Sequence, residues 1–96
     1  MPTFEITERF RHDLTILSKE QKAAFKLAKD KFVADLKAGR FRKGLRIKAV
    51  QGASGIFEMT WAPNGRATFS CGPPIHSGEP HIIWRRIGTH DIFGQP

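Results

Sequence analysis

The feature that most constrains this chain is a change in the period of its apolar residues near residue 40. Before that point, Phe25, Ala28, Phe32, Val33 and Leu36 recur at the spacing of one helix face, and Lys19, Lys22, Lys26, Lys29 and Lys37 occupy the other. After Gly44 the period falls to two. Leu45, Ile47 and Ala49 alternate with Arg46 and Lys48; Phe57, Met59 and Trp61 alternate with Glu58 and Thr60; Ala67, Phe69 and Cys71 alternate with Arg66, Thr68 and Ser70. Helices followed by a run of strands imply an α+β fold, with an N-terminal helical pair packed on a small, mostly antiparallel twisted sheet.

Local signals divide the chain further. Thr3 to Ile6 reads as a short strand, and Thr7 as the cap of a helix running through Phe10 and Leu14 to about Leu17. Ser18-Lys19-Glu20-Gln21 has the form of a capping box, and Gly39 stands where a helix ends in the left-handed conformation. Two helices this close in sequence make a hairpin or a bent pair. Residues 52–55 turn the chain, and Pro63-Asn64-Gly65 predicts a hairpin whose Asn-Gly takes positive φ. Residues 72–80 read as an irregular loop, His81 to Ile87 as a last strand, and Gly88 to Pro96 as a tail. Short hairpins make antiparallel neighbours. With no internal repeat or linker in 96 residues, the expectation is a single domain, 1–96.

Charge narrows the range of partners. Sixteen Lys and Arg against nine Asp and Glu give a net charge of +7, which favours phosphate-bearing or acidic partners. The surplus is densest between Asp35 and Glu58, where Lys37, Arg40, Arg42, Lys43, Arg46 and Lys48 have no acid among them. Such a run can equally be a solvated loop. Cys71 is the only cysteine, which removes an internal disulfide and a thiolate zinc site. His12, His76 and His81 show no metal-site spacing, so neither metal nor cofactor is expected. No segment resembles a signal peptide or a membrane span, and the expected location is cytoplasmic.

The strand alternation also predicts a surface. If the apolar set packs on the helices, the opposite face collects Arg46, Lys48, Glu58, Thr60, Arg66, Thr68 and Ser70, and either register of the last strand adds Arg85 or Arg86. Cations and hydroxyls around one carboxylate suit a phosphodiester chain. Glu58, Glu79 and Asp91 are the only acids after residue 35, which argues against a clustered-carboxylate magnesium nuclease. RNA offers a route through its own 2′-OH: a base takes the proton, cations stabilise the phosphorane, and an acid protonates the leaving 5′-oxygen. Arginine fits the middle task because its planar fork binds two phosphate oxygens.

Three patterns resemble the RelE/ParE toxin superfamily. Phe10-Arg11-His12-Asp13-Leu14 with Leu17 is similar to the family's opening helix. The segment from Gly55 to Trp61, followed by Asn64 to Phe69, resembles its central hairpin. The segment from Arg86 to Phe93 resembles its C-terminal end. The resemblance spans nearly the whole chain. It implies the toxin of a bacterial toxin–antitoxin pair with a cognate antitoxin as partner, in a hetero-oligomer. RelE-like members cleave mRNA on the ribosome without metal; ParE-like members inhibit DNA gyrase without being enzymes; an inactive RNA- or antitoxin-binding relative is the third possibility. On the first alternative, a ribosome-dependent endoribonuclease, the resemblance maps phosphate stabilisation onto Arg66 and general acid or base work onto His90. It maps RNA-binding cations more loosely onto Arg46 and Lys48. Arg42, Lys43, Arg85 and Arg86 join them as basic candidates. Many ribonuclease members carry a C-terminal tyrosine; this chain has none, and Asp91 stands beside His90.

Each candidate also has a plainer reading. Glu58 can serve as a general base, or as a cross-strand partner of Arg46, Lys48 or Arg66. Asp91 can orient His90 or bond locally, and His90 itself can cap or pack. Arg66 can be an ordinary surface charge beside a turn. Trp61 and Trp84 read as core rather than base-stacking platforms.

Overall fold

The computed structural model describes residues 2–96. Its two helices begin at the residues whose side chains can satisfy free amides. Thr7 caps α1 (Glu8–Ile16), its Oγ1 accepting from the Phe10 amide at 3.0 Å. Ser18 caps α2 (Lys19–Ala38) through a complete capping box: Ser18 Oγ accepts from the Gln21 amide at 3.1 Å, and Gln21 Oε1 accepts from the Ser18 amide at 2.8 Å. Gly39 ends α2 at φ 78°, where its amide reaches the Asp35 and Leu36 carbonyls.

Five strands follow the order β1-β5-β4-β3-β2, with β1 at Thr3–Ile6, β2 at Lys48–Ala49, β3 at Ile56–Ala62, β4 at Gly65–Gly72 and β5 at His81–Gly88. β1 runs parallel to β5, and the other pairs are antiparallel. The helices cover the face bearing Met59, Trp61, Ala67, Phe69, Ile82, Trp84 and Ile87. Trp84 is the centre of this core, with ring centroids 5.0 Å from Phe32, 5.5 Å from Phe69, 5.6 Å from Phe25 and 6.2 Å from Phe10. Aromatic burial of this density supplies the main apolar driving force of a small domain.

The structure departs from the sequence reading at three places. The alternation from Leu45 to Ala49 does not make a five-residue strand. Leu45 enters the core from a 3-10 turn (Lys43–Leu45), Arg46 leaves it at φ 50°, and the ladder begins only at Lys48. The Pro63-Asn64 hairpin has no positive φ at Asn64 or Gly65. Ala62 pairs with Gly65, so Pro63 occupies the first central position, and its ring forbids the mirror-image turn. Cys71 does lie on the apolar face as expected, opposite Ile82, but at its exposed rim. Finally, the C-terminal segment is not loose: His90–Gly94 forms a 3-10 turn that buries Ile92 and returns Gln95 and Pro96 to the sheet.

Candidate nucleic-acid interface

The ladder registers bring together side chains far apart in sequence. Lys48 pairs with Glu58, Glu58 with Thr68, and Thr68 with Arg86, forming one row across four strands on the side away from the aromatic core. Lys48 Nζ lies 3.8 Å from Glu58 Oε1, so the carboxylate sits beside a cation. Thr60, Arg66 and Gly88 form the next row, roughly 7 Å along the strands at two residues of strand rise.

A bulge in β5 resolves the ambiguity of its register. Phe69 pairs with Trp84 and Thr68 with Arg86, leaving Arg85 as the extra residue. Both arginines therefore meet the returning C-terminal segment: Arg85 Nε donates to the Pro96 main-chain oxygen at 3.2 Å, and Arg86 Nη1 to the Gln95 carbonyl at 2.9 Å. Thr68 Oγ1 reaches the Pro96 oxygen at 3.5 Å. Beside them runs an open groove of about 450 Å³ lined by Arg9, Ile56, Arg85, Arg86 and the Gln95–Pro96 segment.

Arg66 is curled over its own turn. Nη1 donates to the carbonyls of Gly65 (3.0 Å), Ala62 (3.2 Å) and Pro63 (3.3 Å), while none of these bonds uses Nε or Nη2. Its register partner, Gly88, lies two residues before His90. His90 is exposed at the start of the 3-10 turn, its ring edge-on to Phe93 with centroids 5.4 Å apart. Asp91 is exposed in the same turn, and its amide reaches Thr89 Oγ1 at 3.5 Å. The structure thus groups Lys48, Glu58, Arg66, Arg85 and Arg86 on or beside one face, with His90 and Asp91 at its margin.

The basic stretch before β2 behaves differently. Arg42 is clipped to Asp35 by Nε–Oδ2 and Nη2–Oδ1 bonds, both 2.8 Å, and its amide also donates to Oδ2. The Arg42 fork holds the Asp35 carboxyl down at about 2 instead of 3.8, first through the side-chain hydrogen bonds and then through the amide. The Arg42 guanidinium is correspondingly raised by the same carboxylate. Lys43 and Arg46 belong to the 3-10 turn and its exit, outside the strand ladder that was expected to place Arg46 among the face residues.

Two partners of the face owe their roles to the tertiary fold, not to strand alternation. Thr68, one hydroxyl among several in the alternation, is fully buried at the middle of the row. Asp13, buried beneath Arg86, accepts from Arg86 Nε at 2.7 Å, Arg86 Nη2 at 3.2 Å and the Ile87 amide at 3.1 Å. The available signal was a carboxylate three residues after Phe10 and one before Leu14, on the apolar side of α1. His81, by contrast, is structural: its buried ring joins Glu5 Oε1 at 2.6 Å and Thr3 Oγ1 at 2.7 Å, tying β1 to β5.

No family model and no curated protein sequence matches the chain. Solved structures do. A chain of the Escherichia coli DinJ-YafQ toxin–antitoxin complex superposes with a TM-score of 0.70 at 13% identity, covering 94% of this chain and 93% of that one. A metal-bound toxin from Helicobacter pylori gives 0.63 at 18% identity, with 95% and 97% covered. A chain of the RelB-RelE antitoxin–toxin complex from Methanococcus jannaschii gives 0.59 at 16%, with 90% and 89% covered. At such identities the likeness is one of architecture, over 89% or more of each chain: this chain has the fold of the RelE-like toxins.

Proposed function

We propose that the protein is the toxin of a toxin–antitoxin pair and cleaves mRNA on the ribosome by attack of the RNA 2′-OH on the adjacent phosphate. The observation that carries this reading is the cationic face itself, with Lys48, Glu58, Thr68 and Arg86 in one row and Arg66 in the next, on a RelE-like fold. Its ammonium and guanidinium donors match phosphate oxygens. Arg66, released from its turn carbonyls, gains most when charge grows on the phosphorane, because Nε and Nη2 then add a forked contact. Glu58 and His90 are the titratable groups for the base and acid tasks, and Asp91 adjoins His90. An acidic antitoxin is the natural inhibitor of such a face, since it neutralises the same cations.

The test is single-turnover cleavage of mRNA on programmed ribosomes. Arg66→Ala should lower the rate by roughly 10²–10³-fold, the scale of losing one oxyanion donor. Ribosome binding should fall much less, and Arg66→Lys should recover only part of the rate because an ammonium cannot bind two oxygens in one plane. A wild-type rate from folded, ribosome-bound Arg66→Ala removes Arg66 from the chemistry. Growth arrest with early SOS induction and intact transcripts would move the reading to gyrase inhibition.

A further inference from the structure

Asp13 belongs to α1, and its side chain, 7% exposed, reaches the β5 end of the cationic row at Arg86. Its carboxylate takes the Nε and Nη2 edge of Arg86, and the Ile87 amide fixes the same Oδ2 to the strand backbone. A guanidinium gripped along that edge has one direction left. Nη1 points to the Gln95 carbonyl oxygen, beside the Pro96 oxygen approached by Arg85 Nε and Thr68 Oγ1. Donors from two strands therefore converge on two main-chain oxygens, and the same donors would bond the non-bridging oxygens of a phosphodiester more strongly because those carry negative charge.

We propose that Asp13 is a positioning residue: it holds Arg86 so that Nη1 is presented to a phosphate oxygen of the RNA, in the place where the Gln95 carbonyl now sits. The proposal rests on the RNA-cleaving reading above. Its physical basis is geometric rather than stabilising. A buried ion pair adds little net stability, because desolvation offsets the attraction, but a bidentate pair fixes the plane and rotation of the fork. The β5 bulge places Arg86 where free rotation would let it follow the C-terminal segment. Asp13 and the Ile87 amide prevent that. When the segment gives way to RNA, the donor is already aimed.

The experiment is a double-mutant cycle between Asp13→Asn and Arg86→Ala, read by single-turnover cleavage on ribosomes and by binding of a short 2′-O-methyl RNA, which has no free nucleophile. Asp13→Asn should slow cleavage on the order of 10–100-fold, the cost of a misplaced catalytic contact. The ribosome concentration for half-maximal rate should stay nearly unchanged, because the ribosome supplies most of that binding, while the short 2′-O-methyl RNA alone should bind more weakly. In the Arg86→Ala background the same substitution should change the rate less than about twofold, because the group through which Asp13 acts is gone. Equal losses in both backgrounds would show a purely structural role and overturn the proposal. Asp13→Glu is the second variant should Asp13→Asn fold poorly: it keeps a charge for Arg86 but displaces the fork, so a folded Asp13→Glu protein should still be slow. A wild-type rate from either folded variant also overturns it. If the wild-type protein cleaves no RNA, the reading of function fails, and binding of the 2′-O-methyl probe then decides Asp13 alone. Weakening by roughly threefold or more that depends on Arg86 retains the positioning role, and weakening of equal size in both backgrounds, or none, rejects it.

Discussion

At residue scale, the β3–β4 turn shows how one packing contact can override a turn signal. Asn-Gly commonly marks a hairpin through positive φ, but Gly65 serves a different end here. The Trp61 indole lies against its Cα, and a Cβ on residue 65 would fall 2.6 Å from ring atoms. Trp61 is the irregular position between Thr60 and Ala62, and its Nε1 is buried without a hydrogen-bond partner, so packing alone holds the ring. Gly65→Ala should therefore destabilise the fold by about 1–3 kcal/mol, the usual cost of overpacking. Urea unfolding should show a lower midpoint at unchanged slope. An unchanged midpoint would mean that the indole shifts freely and that Gly65 is dispensable. The effect should reach Arg66 as well, since its guanidinium bonds the carbonyls of this same turn.

At element scale, the helices were the most legible part of the chain, because a cap is a local event: Thr7, Ser18, Gln21 and Gly39 each act within a few residues of where they stand. The strand faces were legible for a similar reason, as alternation fixes which residues share a side. What stayed hidden needed partners distant in sequence or a break in periodicity. The β5 bulge that admits both Arg85 and Arg86 leaves no period of its own, and Asp13 meets Arg86 across 73 positions. The Asp35–Arg42 clip is intermediate. Both residues were visible, but as the boundary and a member of a cationic run, because the reversal at Gly39 that joins them is tertiary. This clip makes a pH prediction. Asp35 titrates near 2 in the folded chain against 3.8 for an ordinary aspartate, so its contribution is complete above pH 4 and fades as pH falls toward 2. Arg42→Ala should be less stable than wild type at pH 7, and the gap in urea midpoint should narrow between pH 4 and pH 2. A gap that is constant across that range would assign the loss to packing of the Arg42 stem instead of its charge.

At the scale of the whole molecule, a net charge of +7 does not say which cations meet RNA, and the structure divides them. Arg42 is held along one edge by Asp35 near the end of α2, whereas Lys48, Arg66, Arg85 and Arg86 lie on or beside the polar face of the sheet. Electrostatic binding gives a way to count the participants. Each phosphate neutralised on a single strand releases counterions, so log K falls against log salt with a slope of about −0.7 per contact. Four contacts predict a slope near about −3 for a short 2′-O-methyl RNA, measured from roughly 50 to 300 mM salt. Lys48→Ala should make the slope shallower by about 0.7, since its exposed ammonium, only loosely paired with Glu58 at 3.8 Å, is free to exchange that carboxylate for phosphate. Arg42→Ala should leave the slope as it was, because Arg42 lies beside α2 rather than on the polar face of the sheet. The opposite result, a slope sensitive to Arg42 and indifferent to Lys48, would move the RNA off the sheet and onto the basic loop that precedes it.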